Sequence, residues 1–253
     1  LRVGTRVFPS SAPNYVGYLI SFSAKAAPAV EIYGASKQSY IQDLVVDDQG
    51  RLYAGGIAHG TVTFGGALSK HVTGSHQEAF VLALDGSAKA RWLRTYDGSQ
   101  NYQMHALSWH ATTGLAAGGL YRTNAPASFG QLSLPASVPY DDPFVLGLSS
   151  AGSETWVYGI DAQGFSTVFA VAHRADGGVC VTGQVDGAVT LGAQTVPSEG
   201  GKDIFVAALD GKGKPLWWRR FGAAGNDHGL AAVALGNDCV FAGKLSGSAD
   251  LGS

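Results

Sequence analysis

Histidine and carboxylate side chains spaced so that they could act together occur at few places in this chain of 253 residues. His110 and His173 stand at matching ends of two similar stretches, ALSWH and AVAH, and Asp47 ends a third, LVVD. Two imidazoles and a carboxylate converging on one point could hold a metal ion. The simpler reading is three polar residues capping strand ends before turns, and no metal or other cofactor is expected. A second group lies in the polar segments just ahead of those stretches. These hold Gln38, Tyr40 and Gln42, then Asn101, Tyr102 and His105, then Phe165 and Ser166, then Asn226, Asp227 and His228. Aromatic faces such as Tyr40, Tyr102 and Phe165 suit stacking on a sugar ring. An enzyme would have to be assembled from unlike residues such as His105, Asp227 and His228, with nothing to fix their mutual geometry. The segments differ from one another, which disfavours identical sites and permits one asymmetric site. Its candidate ligand-binding residues are Tyr40, Gln42, Tyr102, His105, Asp227 and His228. No Gly-x-Ser-x-Gly elbow, phosphate-cradling glycine loop or alternating acidic calcium loop is present.

These residues are positioned by a tandem repeat. An aromatic opens a short alternating strand at Tyr18, Phe80, Phe144 and Phe205, at intervals of 62, 64 and 61 residues. Twelve positions later stand Val30, Trp92, Trp156 and Trp217. Each copy divides into four short strands with turns between them, the first turn often an Asp-Gly pair suited to tight hairpins. No stretch sustains an apolar period of 3.6, so no substantial helix is expected. A variable insert separates the fourth strand from the next copy and carries its own echo, TVTFGG, ASFGQ, AVTLGAQ and SADLGS. The apolar residue before its Gly is expected to tuck the insert onto its own sheet, with the rest forming surface loops. The repeat units run over 17–79, 80–143, 144–204 and 205–253, after a partial insert at 1–16, as one region over 1–253.

Lys and Arg total 17 against 19 Asp and Glu, so no basic surface for nucleic acid is offered. No apolar run approaches the ~20 residues of a spanning helix. Charged residues make up 14% and Gly reaches 36 residues, the composition of a turn-rich β protein. The start at Leu1 and the stop inside a repeat at Ser253 suggest a processed or partial chain. Cys180 and Cys239 lie in apolar strands of consecutive repeats. Aligning Gly183 with Gly243 puts the two Cys one position apart and so on opposite strand faces. Two buried thiols are therefore expected in preference to a disulfide.

The last unit, with Asp203 to Asp210, Trp217 to Gly222 and Cys239 to Gly243, resembles the bacterial seven-bladed β-propeller (SBBP) repeat, and Val179 to Gly183 matches it in the third unit. His110 and Val30 depart from its usual Asp and Trp. The resemblance implies an all-β propeller of four-stranded antiparallel blades, about four repeats of 60–65 residues. The strand carrying LVVD, ALSWH, AVAH or VALG would be innermost and the Trp strand outermost. The chain would then contain three whole blades and two halves. A ring of four would require continuous pairing between Tyr18–Tyr33 and Leu230–Leu245; a segment of a larger ring, or one completed elsewhere by further blades or subunits, is favoured. Such motifs specify a fold and hardly any activity. The expected function is a non-enzymatic scaffold, extracellular or in the bacterial cell envelope, binding a protein or surface-glycan partner through variable loops. A carbohydrate-binding propeller is the alternative.

Overall fold

The computed structural model describes residues 2–3, 6–7, 15–23, 26–33, 37–64, 68–71, 76–137, 139–191 and 194–249. Every regular element among them is a strand. Sixteen strands form the body: β1 (Gly17–Ser23), β2 (Ala26–Tyr33), β3 (Gln38–Val46), β4 (Leu52–His59), β5 (Glu78–Leu84), β6 (Ala90–Tyr96), β7 (Tyr102–His110) and β8 (Gly114–Tyr121). They continue with β9 (Asp142–Leu148), β10 (Glu154–Gly159), β11 (Thr167–His173), β12 (Val179–Asp186), β13 (Lys202–Leu209), β14 (Pro215–Phe221), β15 (His228–Leu235) and β16 (Asp238–Lys244). Three complete antiparallel sheets run β3-β4-β5-β6, β7-β8-β9-β10 and β11-β12-β13-β14. A leading half-sheet, β1-β2, and a trailing half-sheet, β15-β16, stand apart, and the two are not hydrogen-bonded to each other. The pairing that a four-sheet ring needs is therefore not made.

The sheets stack through their faces, with β3, β7, β11 and β15 packed in succession. Three apolar layers fill the gaps. One lies between the first and second sheets around Tyr53, Leu107, Leu115 and Leu146, and one between the second and third around Val145, Val168 and Val181. The third joins Leu19 of the leading half-sheet to Ala54, Phe80 and Leu82. Middle strands β5, β8 and β9 are buried at every position because both faces are covered, whereas β6 is only half-buried. That explains their runs of Ala, Gly, Val and Leu in place of polar alternation.

The outer strands clamp each sheet to the next. The Trp92 indole donates to the Ser150 carbonyl at 3.1 Å, the Arg94 Nε to the Gly152 carbonyl at 2.7 Å, and the Tyr96 hydroxyl to Glu154 at 2.9 Å. All three acceptors lie at the β9–β10 hairpin of the following sheet. The hairpin turns share one design. Asp85 accepts from the amides of Ser87 and Lys89, Asp210 from those of Lys212 and Lys214, and the Ser149 hydroxyl from that of Ser153. The last turn position is left-handed in all three: Ala88 at φ 60, Gly152 at 82 and Gly213 at 78. A Cβ on Gly152 would meet the Trp92 ring at 2.8 Å, and one on Gly213 would collide with Trp156. Ala88 is accommodated where the preceding half-sheet brings no Trp. Hydrogen-bond register places Ala29 opposite Ser21 as Trp92 stands opposite Ala83, because the β1–β2 hairpin is one residue shorter. Ala29, and not Val30, therefore holds the position of the outer Trp.

The cysteines correct an expectation. Cys180 and Cys239 form a disulfide with Cα atoms 5.6 Å apart, joining β12 to β16. Their opposite parity is real, but stacked sheets meet through opposite faces of consecutive repeats. The two positions that look at each other across the gap are thus one residue out of step. Tyr53, at the position of Cys180, likewise stacks on Trp109 of the next sheet at 5.4 Å. The inserts also differ from plain surface loops. Those at 61–71, 127–134 and 189–196 each form a small hairpin, such as Ala127–Phe129 paired with Leu132–Leu134, and the last insert lies mostly outside the described residues. Phe129 is fully buried 4.8 Å from Phe144 of its own sheet, as the apolar residue before Gly was expected to be.

Two measurements check this account. Ala88→Gly should raise the unfolding free energy by roughly 0.5–1 kcal/mol, since a left-handed Ala costs about 1–2 kcal/mol against some chain entropy for Gly; Gly152→Ala should lower it by ~2 kcal/mol or more, read by urea titration. Replacing both Cys180 and Cys239 by Ala should cost about 2–4 kcal/mol for a bridge closing 59 residues, and reduction of the parent should reproduce that loss.

Candidate functional site

The first strands of the three complete sheets and of the trailing half-sheet, β3, β7, β11 and β15, share a deformation that sets the geometry of the candidate site. Each carries a β-bulge, between Ile41 and Asp43, Met104 and Ala106, Val168 and Ala170, and Gly229 and Ala231. The extra residues are Gln42, His105, Phe169 and Leu230. Across the ladder stand Gly56, Gly119, Gly183 and Gly243, where a Cβ would collide with the carbonyl of Tyr40, Gln103, Thr167 or His228. Glycine thus lets the inner strand come close and buckle, and the buckle re-aims one side chain per strand. Two expected residues, Gln42 and His105, are bulge residues. Phe169 was not among the expected ones; the Gly of VCVTG, aligned with those of LYAGG and LAAGG, was the signal that would have found it.

His105, Phe169 and His228 form a stacked row, with ring centroids 5.9 Å apart between His105 and Phe169 and 6.2 Å between Phe169 and His228. His105 also belongs to a polar chain crossing three sheets. Its Nδ1 lies 2.9 Å from the Thr167 hydroxyl and its Nε2 2.9 Å from Gln103 Oε1, and Gln103 Nε2 donates to Gln77 Oε1 at 2.6 Å. Gln103 Oε1 can only accept, so Nε2 carries a proton and donates to it, while Nδ1 faces both the Thr167 hydroxyl and, at 3.2 Å, the Val168 carbonyl. Burial holds its pKa below the ordinary histidine value, against a raising contribution from the Val168 carbonyl. The His228 pKa is lowered in turn by burial and by the charges of Lys244 and Lys202, with Asp227 opposing.

The remaining expected residues separate. Tyr40 lies on β3, its ring 5.7 Å from Tyr15 and its hydroxyl donating to Gln38 at 3.1 Å, in a groove with exposed Gln42. Tyr102 was expected to be an exposed aromatic and is instead fully buried against Tyr121 and Phe129. Burial pushes its hydroxyl up to about 12. Asp227 is also fully buried. Its carboxylate accepts from the Ala223 amide at 2.7 Å, the Ser246 amide at 2.5 Å and the Ser246 hydroxyl at 2.8 Å. Burial raises its pKa, but these hydrogen bonds outweigh that and hold it below the usual carboxylate range. Ser39 and Ser166 stand at the same place in other copies, taking the amides of Gly17 and Asp186. Asp227 is therefore a loop clasp beside the row. Phe165 stays exposed, with the Lys202 ammonium 4.4 Å over its ring.

His110 and His173 do meet, stacked at 5.6 Å. The third member is committed elsewhere: Asp47 takes the Arg51 guanidinium, the Tyr53 hydroxyl and the amides of Gln49 and Arg51. Among the described residues no group of three or more His, Cys, Asp or Glu is arranged to hold a metal ion. Nor is any helix among them long and apolar enough to cross a membrane. Burial, and then the neighbouring His110, push His173 down to about 4.

In comparisons with known proteins, no family model and no curated protein matches this chain.

The His173 shift has a testable sign. The unfolded chain takes up this proton near pH 6.5 and the fold only near pH 4, so His173 costs stability as pH falls through that window. The unfolding free energy of His173→Asn relative to the parent should rise on acidification from pH 6.5 to 4, with a slope approaching 1.4 kcal/mol per pH unit. A flat difference would contradict the assignment.

Proposed function

We propose that the chain is an arc of a β-propeller of the kind the bacterial seven-bladed repeat resembles, serving as a non-enzymatic scaffold that binds another macromolecule. One observation carries this reading. The three complete sheets agree in strand order and register, and the trailing half-sheet repeats the register of their first two strands, while the residues presented differ: Gln42, His105, Phe169 and Leu230 at the bulges, and the outer faces of the inserts. A constant frame with variable projections suits recognition of an irregular surface. The inter-sheet disulfide supports an extracellular or envelope location, since such bridges persist in oxidising compartments. A protein partner fits the inserts best. The carbohydrate reading rests on Phe165, whose exposed ring is backed by Lys202.

The test leaves the buried anchor of the insert in place. Ser128, Gln131 and Ser133 are exposed on the hairpin that Phe129 pins down. Ser128→Glu, Gln131→Glu and Ser133→Glu together should abolish binding to surface proteins displayed on an array while leaving the melting temperature unchanged. Retained binding, lost instead on His105→Ala or His228→Ala, would move the site to the inner-strand mouth. A hit on a glycan array removed by Phe165→Ala would establish the carbohydrate reading.

A further inference from the structure

The second and third complete sheets differ at one pair of positions next to their inserts. In the third sheet Asp203 stands two residues before Phe205 on β13, and Arg220 of β14 lies opposite that Phe. Asp203 and Arg220 form a buried ion pair, their side chains 0% and 2% exposed. The Arg220 Nε donates to Asp203 at 2.7 Å, and its Nη1 to the carbonyls of Gly187 at 2.8 Å and Val196 at 3.3 Å. One planar guanidinium thus ties a carboxylate to both ends of the 189–196 hairpin.

In the second sheet the carboxylate is kept and the arginine is replaced. Asp142 stands two residues before Phe144, and Gly159 lies opposite that Phe. A cavity of about 270 Å³ opens at this place, lined by Asp142, Gly159, Tyr121, Leu134 and Asp161 among others. Leu134 ends its insert hairpin as Val196 ends the next one, so the cavity corresponds to the space that Arg220 fills one sheet further on. Asp142 is only 5% exposed. Its Oδ1 accepts from the Ala162 amide at 3.0 Å, and among the described residues no other hydrogen bond or ion pair reaches it. A further change adds negative charge: Asp161 holds the position of Gly222, where a Cβ would collide with Asp203. The neighbouring Asp141, by contrast, takes the Arg122 Nη2 at 2.7 Å. Burial pushes the Asp142 pKa up to about 7, the Ala162 amide opposing and the charges of Asp161 and Asp141 adding to the rise. A carboxylate buried without a counter-charge is the costly half of an ion pair.

We propose that this cavity is a binding site for a guanidinium group, which takes the place beside Asp142 that Arg220 takes beside Asp203. The ligand enters where Gly159 leaves room, against the carboxylates of Asp142 and Asp161. Acceptors on two sides favour a planar fork over a compact ammonium, as the contacts of Arg220 illustrate. The group belongs either to an arginine of a protein partner or to a free small guanidino compound, which present the same chemistry to the cavity. This site does not depend on what the outer faces of the inserts bind.

The test is a titration of the intact, disulfide-bonded chain with ethylguanidinium, followed by calorimetry and by the NMR shift of the Asp142 carboxyl. Saturable binding at a single site is expected, ~10-fold or more tighter than that of ethylammonium. Saturation should move the Asp142 pKa down from about 7. Asp142→Asn keeps the shape of the side chain and removes its charge. It should leave circular dichroism unchanged and weaken binding ~10-fold or more. Gly159→Arg should supply the group from within and abolish binding, with Leu134 giving way, since a Cβ there lies 3.0 Å from its Cδ1. A blocked Gly-Arg-Gly peptide that binds more tightly than agmatine would assign the group to a protein partner, and the reverse order would assign it to a small molecule. No saturable binding, equal binding of ethylammonium, displacement by calcium, or binding indifferent to Asp142→Asn would each overturn the proposal.

Discussion

The close approach of main chain to main chain at Gly56, Gly119, Gly183 and Gly243 governs the architecture. A side chain at any of these four positions would drive its strand away from the innermost one. With glycine there, the inner strand buckles by one residue, twists more strongly and turns its bulge side chain out of the ladder. The same contact fixes register on both sides of the glycine strand. Toward the inner strand it places the bulge, and in the three complete sheets it faces the aromatic of the third strand. The local register and the place of the bulge residue follow from this steric condition.

A second constraint is imposed by stacking. Because consecutive sheets meet through opposite faces, residues that interact across a gap sit one position out of phase between repeats. The disulfide between Cys180 and Cys239 and the stacking of Tyr53 on Trp109 obey this rule on the inner half of the sheets. On the outer half, Trp92 and Trp156 lie over the turn glycines of the sheet that follows. The structure is thus tied twice, by apolar packing near the first two strands of each sheet and by indole-on-turn contacts at the hairpins joining the third and fourth. Charge joins the outer tie, where Arg94 Nε lies 3.7 Å from Glu154 Oε1.

Much of this was legible in the sequence, and the failures have identifiable physical causes. The repeat spacing carries the all-β class, the short antiparallel strands and the tucking of Phe129, because each depends on local pattern. The disulfide escapes strand parity alone, because stacking adds an inversion between the strands of consecutive sheets. Twelve residues after the aromatic stands Val30, but a hairpin shorter by one residue shifts the pairing to Ala29. Tyr102 and Asp227 looked like polar ligands because they occupy variable segments; burial and three hydrogen bonds make the second a clasp. Phe169, the bulge residue of β11, is an isolated Phe in an apolar strand and carries no mark of its own in the sequence. Only its place across from Gly183 distinguishes it.

Bulge residues have one further property. A residue that is extra to the ladder has no cross-strand partner to match in size or branching, so its identity is released from the pairing that restricts its neighbours. Gln42, His105, Phe169 and Leu230 span an amide, an imidazole, a phenyl ring and an alkyl group at equivalent points of one frame. The four points form an addressable row. Its chemistry can be rewritten one side chain at a time, with no ladder hydrogen bond at stake.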